Sequence, residues 1–84
     1  MISRIELQHY RRLTDHHRRS PEARAFRRRL EAAMAELPPN MRRAVLLHVC
    51  LRMSWIAVGM RMHYCDRQCK RFYRQACKIL EEAE

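Results

Sequence analysis

The 84 residues carry 18 Lys and Arg against 9 Asp and Glu, a formal charge of +9 with a pI of about 10.5. That length admits one small domain, and an apolar share of 48% excludes disorder despite the charge. One Gly, three Pro and few β-branched residues predict an all-α fold of four to five helices.

The first predicted helix runs from Ile2 to Arg18, with Ile5, Tyr10, Leu13 and His17 as a thin apolar side. Ser20-Pro21-Glu22 then starts a second. Ser caps the orphan amides, Pro suits the first helical position and Glu favours the positive end of the dipole. Ala23, Phe26, Leu30, Ala33 and Leu37 recur at helical spacing as one apolar stripe, opposite Arg24, Arg27, Arg28 and Glu31. Leu37-Pro38-Pro39-Asn40 ends this helix and opens the next, because a residue before Pro is pushed out of the helical region. The third helix covers Pro39 to Leu51, with Ala44, Val45, Leu47 and Val49 buried. The longest apolar runs, Ala44–Leu47 and Val49–Leu51, are split by His48 and fall far short of a membrane span of ~20 residues. Ser54 caps a fourth helix through Trp55, Val58 and Met62. After the turn His63-Tyr64-Cys65, a last helix runs from Asp66 to Glu82.

The charge is unevenly placed. Residues 1–36 hold nine basic and five acidic groups, residues 37–80 hold nine and one, and residues 81–84 contribute −3. A polyanion would therefore dock on the second half. Sixteen of the 18 basic residues are Arg, the better fork for phosphate and guanine edges. On the last helix Arg67, Lys70, Arg71, Arg74 and Lys78 fall within one arc of roughly 100°. Cys65, Cys69, Phe72, Tyr73, Ala76 and Leu80 fall opposite, as the packing face. Gly59 interrupts the preceding helix at a cost of ~1 kcal/mol, which predicts that a crossing helix comes close there. Two short helices joined by three or four residues, then a basic helix, predict a helix-turn-helix.

Other chemistries find little support. With one Gly there is no phosphate-cradling loop, and Asp66 is the only acid in residues 37–80, so no carboxylate pair and no catalytic residue is assigned. Cys65, Cys69 and Cys77 with His63 lack the close paired spacing of zinc sites, so neither a metal nor a cofactor is expected. His9, His16, His17 and His48 are read as surface or packing residues. Beyond Met1, the residues Met34, Met41, Met53, Met60 and Met62 fill core gaps, although Met60 with Ile56 and Trp55, if exposed, forms a protein-binding patch.

From Leu37 to Leu80 the chain resembles region 4 of bacterial RNA polymerase sigma factors, the domain that reads the −35 promoter element. Leu37-Pro38-Pro39 resembles the family's Leu-Pro opening, and Arg42, Val45 and Leu47 fit its next helix. Met53-Ser54-Trp55 stands where the family has Leu-Ser-Tyr, and Val58, Gly59 and Met62 take its Ile, Ala and Leu places. Cys69, Lys70, Tyr73, Ala76 and Leu80 fit the recognition helix. The family's acidic pair is Ile56-Ala57 here, its turn Gly is His63, and Cys65 replaces a common Ser.

The resemblance implies a stand-alone regulator of the kind found in phages, prophages and mobile elements, since nothing in residues 1–36 is similar to the sigma domain that melts promoters. It implies that Arg67, Gln68, Lys70, Arg71 and Arg74 face the major groove or its flanking phosphates and that Arg42 and Arg43 reach phosphates. Asp66 accepts from a cytosine amino group or, more simply, starts the helix. The expected partner is double-stranded DNA, in a bacterial cytoplasm at the nucleoid, where the four cysteines stay reduced. The alternative is a module that docks on RNA polymerase or a sigma factor. A third class, RNA or an anionic membrane, rests on charge alone. Residues 1–36 are expected to be a helical extension that packs on residues 37–84 or makes them a homodimer.

Overall fold

Four of the described helices begin on a hydroxyl. Ser3, Thr14, Ser20 and Ser54 accept from the amides of Glu6, His17, Ala23 and Ala57, three residues on in each case. Each bond satisfies a donor that the first helical turn leaves orphaned. In the computed structural model, which describes residues 1–83, these caps open α1 (Arg4–Arg12), α2 (Asp15–Arg18), α3 (Pro21–Met34) and α5 (Trp55–Met62). Between them α4 (Pro39–Val45) starts on Pro38-Pro39 and continues as π-helix over Leu46–Cys50, and α6 (Asp66–Glu82) closes the chain. The fold is all-helical among the described residues, and no helix is long and apolar enough to cross a membrane.

The helix expected over Ile2–Arg18 is two helices, giving six α-helices among the described residues where four to five helices were predicted. Leu13 is extended (φ −64°, ψ 141°), and the Thr14 hydroxyl offers the backbone an alternative to the helical ladder. The freed Leu13 carbonyl accepts from Arg52 at 3.0 Å. The apolar side of α1 is also different from the expected one. Ile5 is 82% exposed and His17 lies at the surface, while Ile2, Leu7 and Tyr10 are buried. The cause is what this segment packs against: α1 lies on the π-helical turn at Leu46–Cys50, and before it the Ile2 amide donates to the Leu80 carbonyl of α6 at 2.9 Å.

The expected third helix is regular only to Val45. The Leu51 amide bonds the Leu46 carbonyl, five residues back, at 3.0 Å. This wide turn leaves carbonyls near the helix end without intrahelical partners. Two arginines from the N-terminal helices fill the gap. Arg18 donates to the carbonyls of Cys50 (2.6 Å), Val49 (3.0 Å) and Tyr10 (3.3 Å), with its guanidinium 4.4 Å from the centre of the Tyr10 ring. Arg11 donates to the His48 carbonyl at 3.1 Å. Cations at the negative end of a helix are favoured in any case.

One hydrophobic cluster runs through both parts of the chain, from Ile2, Leu7 and Leu30 to Val45, Val58, Cys69 and Leu80. Full burial of each Leu- or Val-sized side chain contributes ~1.5–3 kcal/mol. Of the predicted stripe in the second helix, Ala23, Leu30 and Leu37 are buried, Phe26 and Ala33 partly so, and Leu37 lies beyond the helix end. The Cys50 side chain is buried as well. Cys65, placed on the packing face by periodicity, is exposed, because it precedes the first turn of α6. His48 is buried, stacked on Trp55 at 3.8 Å and edge-on to Tyr73 at 5.4 Å, so this trio joins the π-helical turn, α5 and α6.

Candidate nucleic-acid interface

The geometry between α5 and α6 follows from Gly59 and His63. A Cβ on Gly59 would stand 2.7 Å from the Tyr64 carbonyl oxygen and 3.4 Å from the Asp66 amide. The close approach at this glycine is therefore made by the backbone of the turn and not by the crossing helix expected there. His63 takes the left-handed conformation (φ 62°, ψ 36°), and the Tyr64 amide closes back on the Gly59 carbonyl at 3.1 Å. A non-Gly residue there costs ~1–2 kcal/mol. Tyr64 packs edge-on against Phe72, ring centres 5.2 Å apart, which fixes the turn against α6.

On α6 the packing face holds Cys69, Tyr73, Ala76, Cys77 and Leu80, all buried, with Phe72 partly buried. The opposite face presents Arg67, Lys70, Arg71, Arg74 and Lys78, all exposed. Among the described residues the only ion pair on this face is Lys70 with Asp66, at 3.9 Å and with both side chains about half exposed. Such a pair is worth little. Arg67, Arg71, Arg74 and Lys78 have neither an ion pair nor a side-chain hydrogen bond among the described residues. Asp66 is the first residue of α6, and Cys65 before it supplies no capping bond. Gln68 is half-buried, at the margin of the cationic face.

Arg42 and Arg43 are exposed in the last turn of α4. They share no hydrogen bond or ion pair with the α6 cations among the described residues. A different pair joins that face. Arg4 and Gln8 of α1 line, with Lys70, Tyr73 and Arg74, a half-open cavity of about 350 Å³ floored by His48 and Trp55. Sequence periodicity gave no sign of this neighbourhood, since α1 reaches α6 only through contacts between the chain's two ends.

Burial pushes the thiols of Cys50, Cys69 and Cys77 above their ordinary value of 9.0, which keeps them protonated and unreactive. Burial likewise holds the His48 imidazole below 6.5, with Arg11 adding to the effect. No three His, Cys, Asp or Glu side chains come together among the described residues as a metal-holding group. Comparison with family models, with curated proteins and with solved structures returned no match to this chain.

Proposed function

We propose that this protein is a sequence-specific DNA-binding transcription regulator in which α5, the His63–Cys65 turn and α6 act as a helix-turn-helix, with α6 in the major groove. One observation carries the reading: the outer face of α6 is a continuous row of exposed, almost unpaired cations on a helix whose inner face is locked into the core. A solvated helix face usually interleaves acids with its bases, and between Arg67 and Lys78 this one holds none, with Asp66 before that stretch and Glu81 after it. The major groove of B-DNA is about 12 Å wide, room for one helix, and Arg reads guanine O6 and N7 with two parallel bonds. The resemblance of Leu37–Leu80 to sigma region 4 supports the same orientation. Under this reading Arg67 and Arg71 reach base edges and Lys70 and Arg74 reach phosphates, with Gln68 at the margin.

A selection of bound duplexes from a random pool, followed by titration of Arg67→Ala and Arg71→Ala on the selected sequence, tests the proposal. Each substitution is expected to cost about 1–3 kcal/mol of discrimination at its base pair. Enrichment of no sequence, or unchanged affinity in both variants, would refute it.

A second reading has its own observation. Ile56 and Met60 on the outer side of α5 are 71% and 75% exposed, one helical turn apart. Under it, this apolar pair docks the chain on RNA polymerase or a sigma factor, and DNA is secondary. Capture of polymerase subunits in the absence of DNA, lost in Ile56→Ser, would favour it over the first.

A further inference from the structure

The cavity between α1 and α6 has the make-up of an anion site. Three cations border it, Arg4 from α1 and Lys70 and Arg74 from one side of α6. Its wall is Tyr73, 2% exposed, whose hydroxyl accepts from the Gln8 carboxamide at 2.8 Å. That bond fixes Gln8 and leaves its second N–H for another acceptor. Trp55, the first residue of α5, closes the floor, so the positive end of that helix borders the same space. Two carboxylates stand nearby and neither lines the cavity. Asp66 lies 3.9 Å from Lys70, and Glu81 accepts the Arg4 amide at 3.2 Å. The Arg4 guanidinium itself has no ion pair or hydrogen bond among the described residues.

The position of this cavity indicates which anion it takes. On a helical projection Lys70 stands at one edge of the α6 cationic arc, with Arg67 and Arg71 toward the other. A helix lying in the major groove has a sugar–phosphate strand along each side, and contacts to those strands fix register without reading sequence. We infer that Arg4, Gln8, Lys70 and Arg74 form a clamp for a backbone phosphate of the duplex, so that α1 of the N-terminal segment is part of the DNA-binding surface. The inference rests on the duplex reading above and adds to it an element outside residues 37–84.

The test uses the full chain, with the same duplex titrated from 50 to 200 mM salt for wild type, Arg4→Ala, Arg4→Lys and Arg71→Ala. Arg4 is exposed and makes no side-chain bond among the described residues, so its variants should melt as wild type does. Arg4→Ala is expected to weaken specific and random duplexes by the same factor, about three- to tenfold, and to lower the salt slope by about one. Arg4→Lys should recover most of both. Trp55, the only Trp of the chain, reports occupancy by its fluorescence: duplex should change its emission in wild type and much less in Arg4→Ala.

If Arg71→Ala loses specific binding while Arg4→Ala keeps wild-type affinity and slope, the clamp is wrong and the duplex reading stands. If inorganic phosphate alone changes Trp55 emission below millimolar concentration and duplex does not, the site takes a free anion and its assignment to the DNA backbone is wrong. A wild-type chain with no affinity for any duplex at 50 mM salt would overturn both.

Discussion

Arg11 and Arg18 of the first two helices and the arginines of the last helix do opposite work. Arg11 and Arg18 point inward, and their guanidinium groups serve the carbonyls of the π-helical turn at Leu46–Cys50. Arg29 of α3 is also engaged, with Glu6 at 3.3 Å and the Met1 carbonyl at 2.8 Å. On α6, Arg67, Arg71 and Arg74 have no such partner among the described residues. Charge counted along the sequence is therefore a poor measure of the charge a ligand meets. What matters is whether a carbonyl or carboxylate has already taken the guanidinium.

The sharpest way to break this contrast is to remove an inward arginine. Arg18→Ala leaves the Cys50 and Val49 carbonyls without their donor and is expected to cost about 3 kcal/mol, a fall in Tm of roughly 12–24 °C for a domain of this size. Thermal melting followed by circular dichroism measures it. A loss below 1 kcal/mol would mean that water replaces Arg18, and that its role is no more structural than that of the α6 arginines.

Next comes the turn that aims the outward set. Gly59→Ala forces the Tyr64 carbonyl away from a Cβ that would otherwise stand at 2.7 Å, with an expected cost of about 1–3 kcal/mol. Because the displaced backbone leads into α6, duplex affinity should fall further than the loss of folded protein explains. Titration at a temperature where the variant is fully folded separates the two effects.

A smaller effect is expected from acid. His48 is buried, its Nδ1 lies 2.9 Å from the Met53 carbonyl, and burial first, then Arg11, hold its imidazole below 6.5. In the unfolded chain the same imidazole takes a proton near 6.5. The unfolded state therefore binds the extra proton first, and stability falls as pH drops below about 6.5 toward the lowered folded value. Urea unfolding between pH 7.5 and 5.5 should show this loss, and His48→Gln should reduce it. A pH-independent midpoint in the wild-type chain would contradict the buried, neutral imidazole.

The smallest effect on stability belongs to α6 itself. Arg67→Ala and Arg71→Ala are each expected to shift the unfolding free energy by no more than about 0.5 kcal/mol, since neither makes an ion pair among the described residues. A larger loss in the same urea titration would place them among the structural arginines.

The C-terminal half of this architecture was legible in the sequence, and the N-terminal half much less so. The cap at Ser54, the turn at His63–Cys65 and the two faces of α6 all follow from local spacing, because a long helix against a core shows its period directly. In and just before α1 the apolar residues are few, and which of them is buried is decided by segments far along the chain: α1 packs on the π-helical turn, Ile2 meets Leu80, and Ile5 is left outside. The π-helical turn was illegible for a similar reason, since it persists where Arg11 and Arg18 arrive from another helix to satisfy its carbonyls. Within the candidate site, the α6 cations were readable as a face. Arg4 and Gln8, which adjoin that face only in space, were not.

The most direct measurement compares two variants with the same loss of charge. Arg24 and Arg28 lie exposed on α3, and Arg67 and Arg71 lie exposed on α6. Double Ala variants of each pair, titrated with a selected duplex over a salt series, separate net charge from placed charge. The α6 variant is predicted to lose sequence discrimination and to show a flatter salt dependence, while the α3 variant binds as wild type. Equal losses from both pairs would show that overall charge alone draws DNA to this chain, and that α6 is not its reading helix.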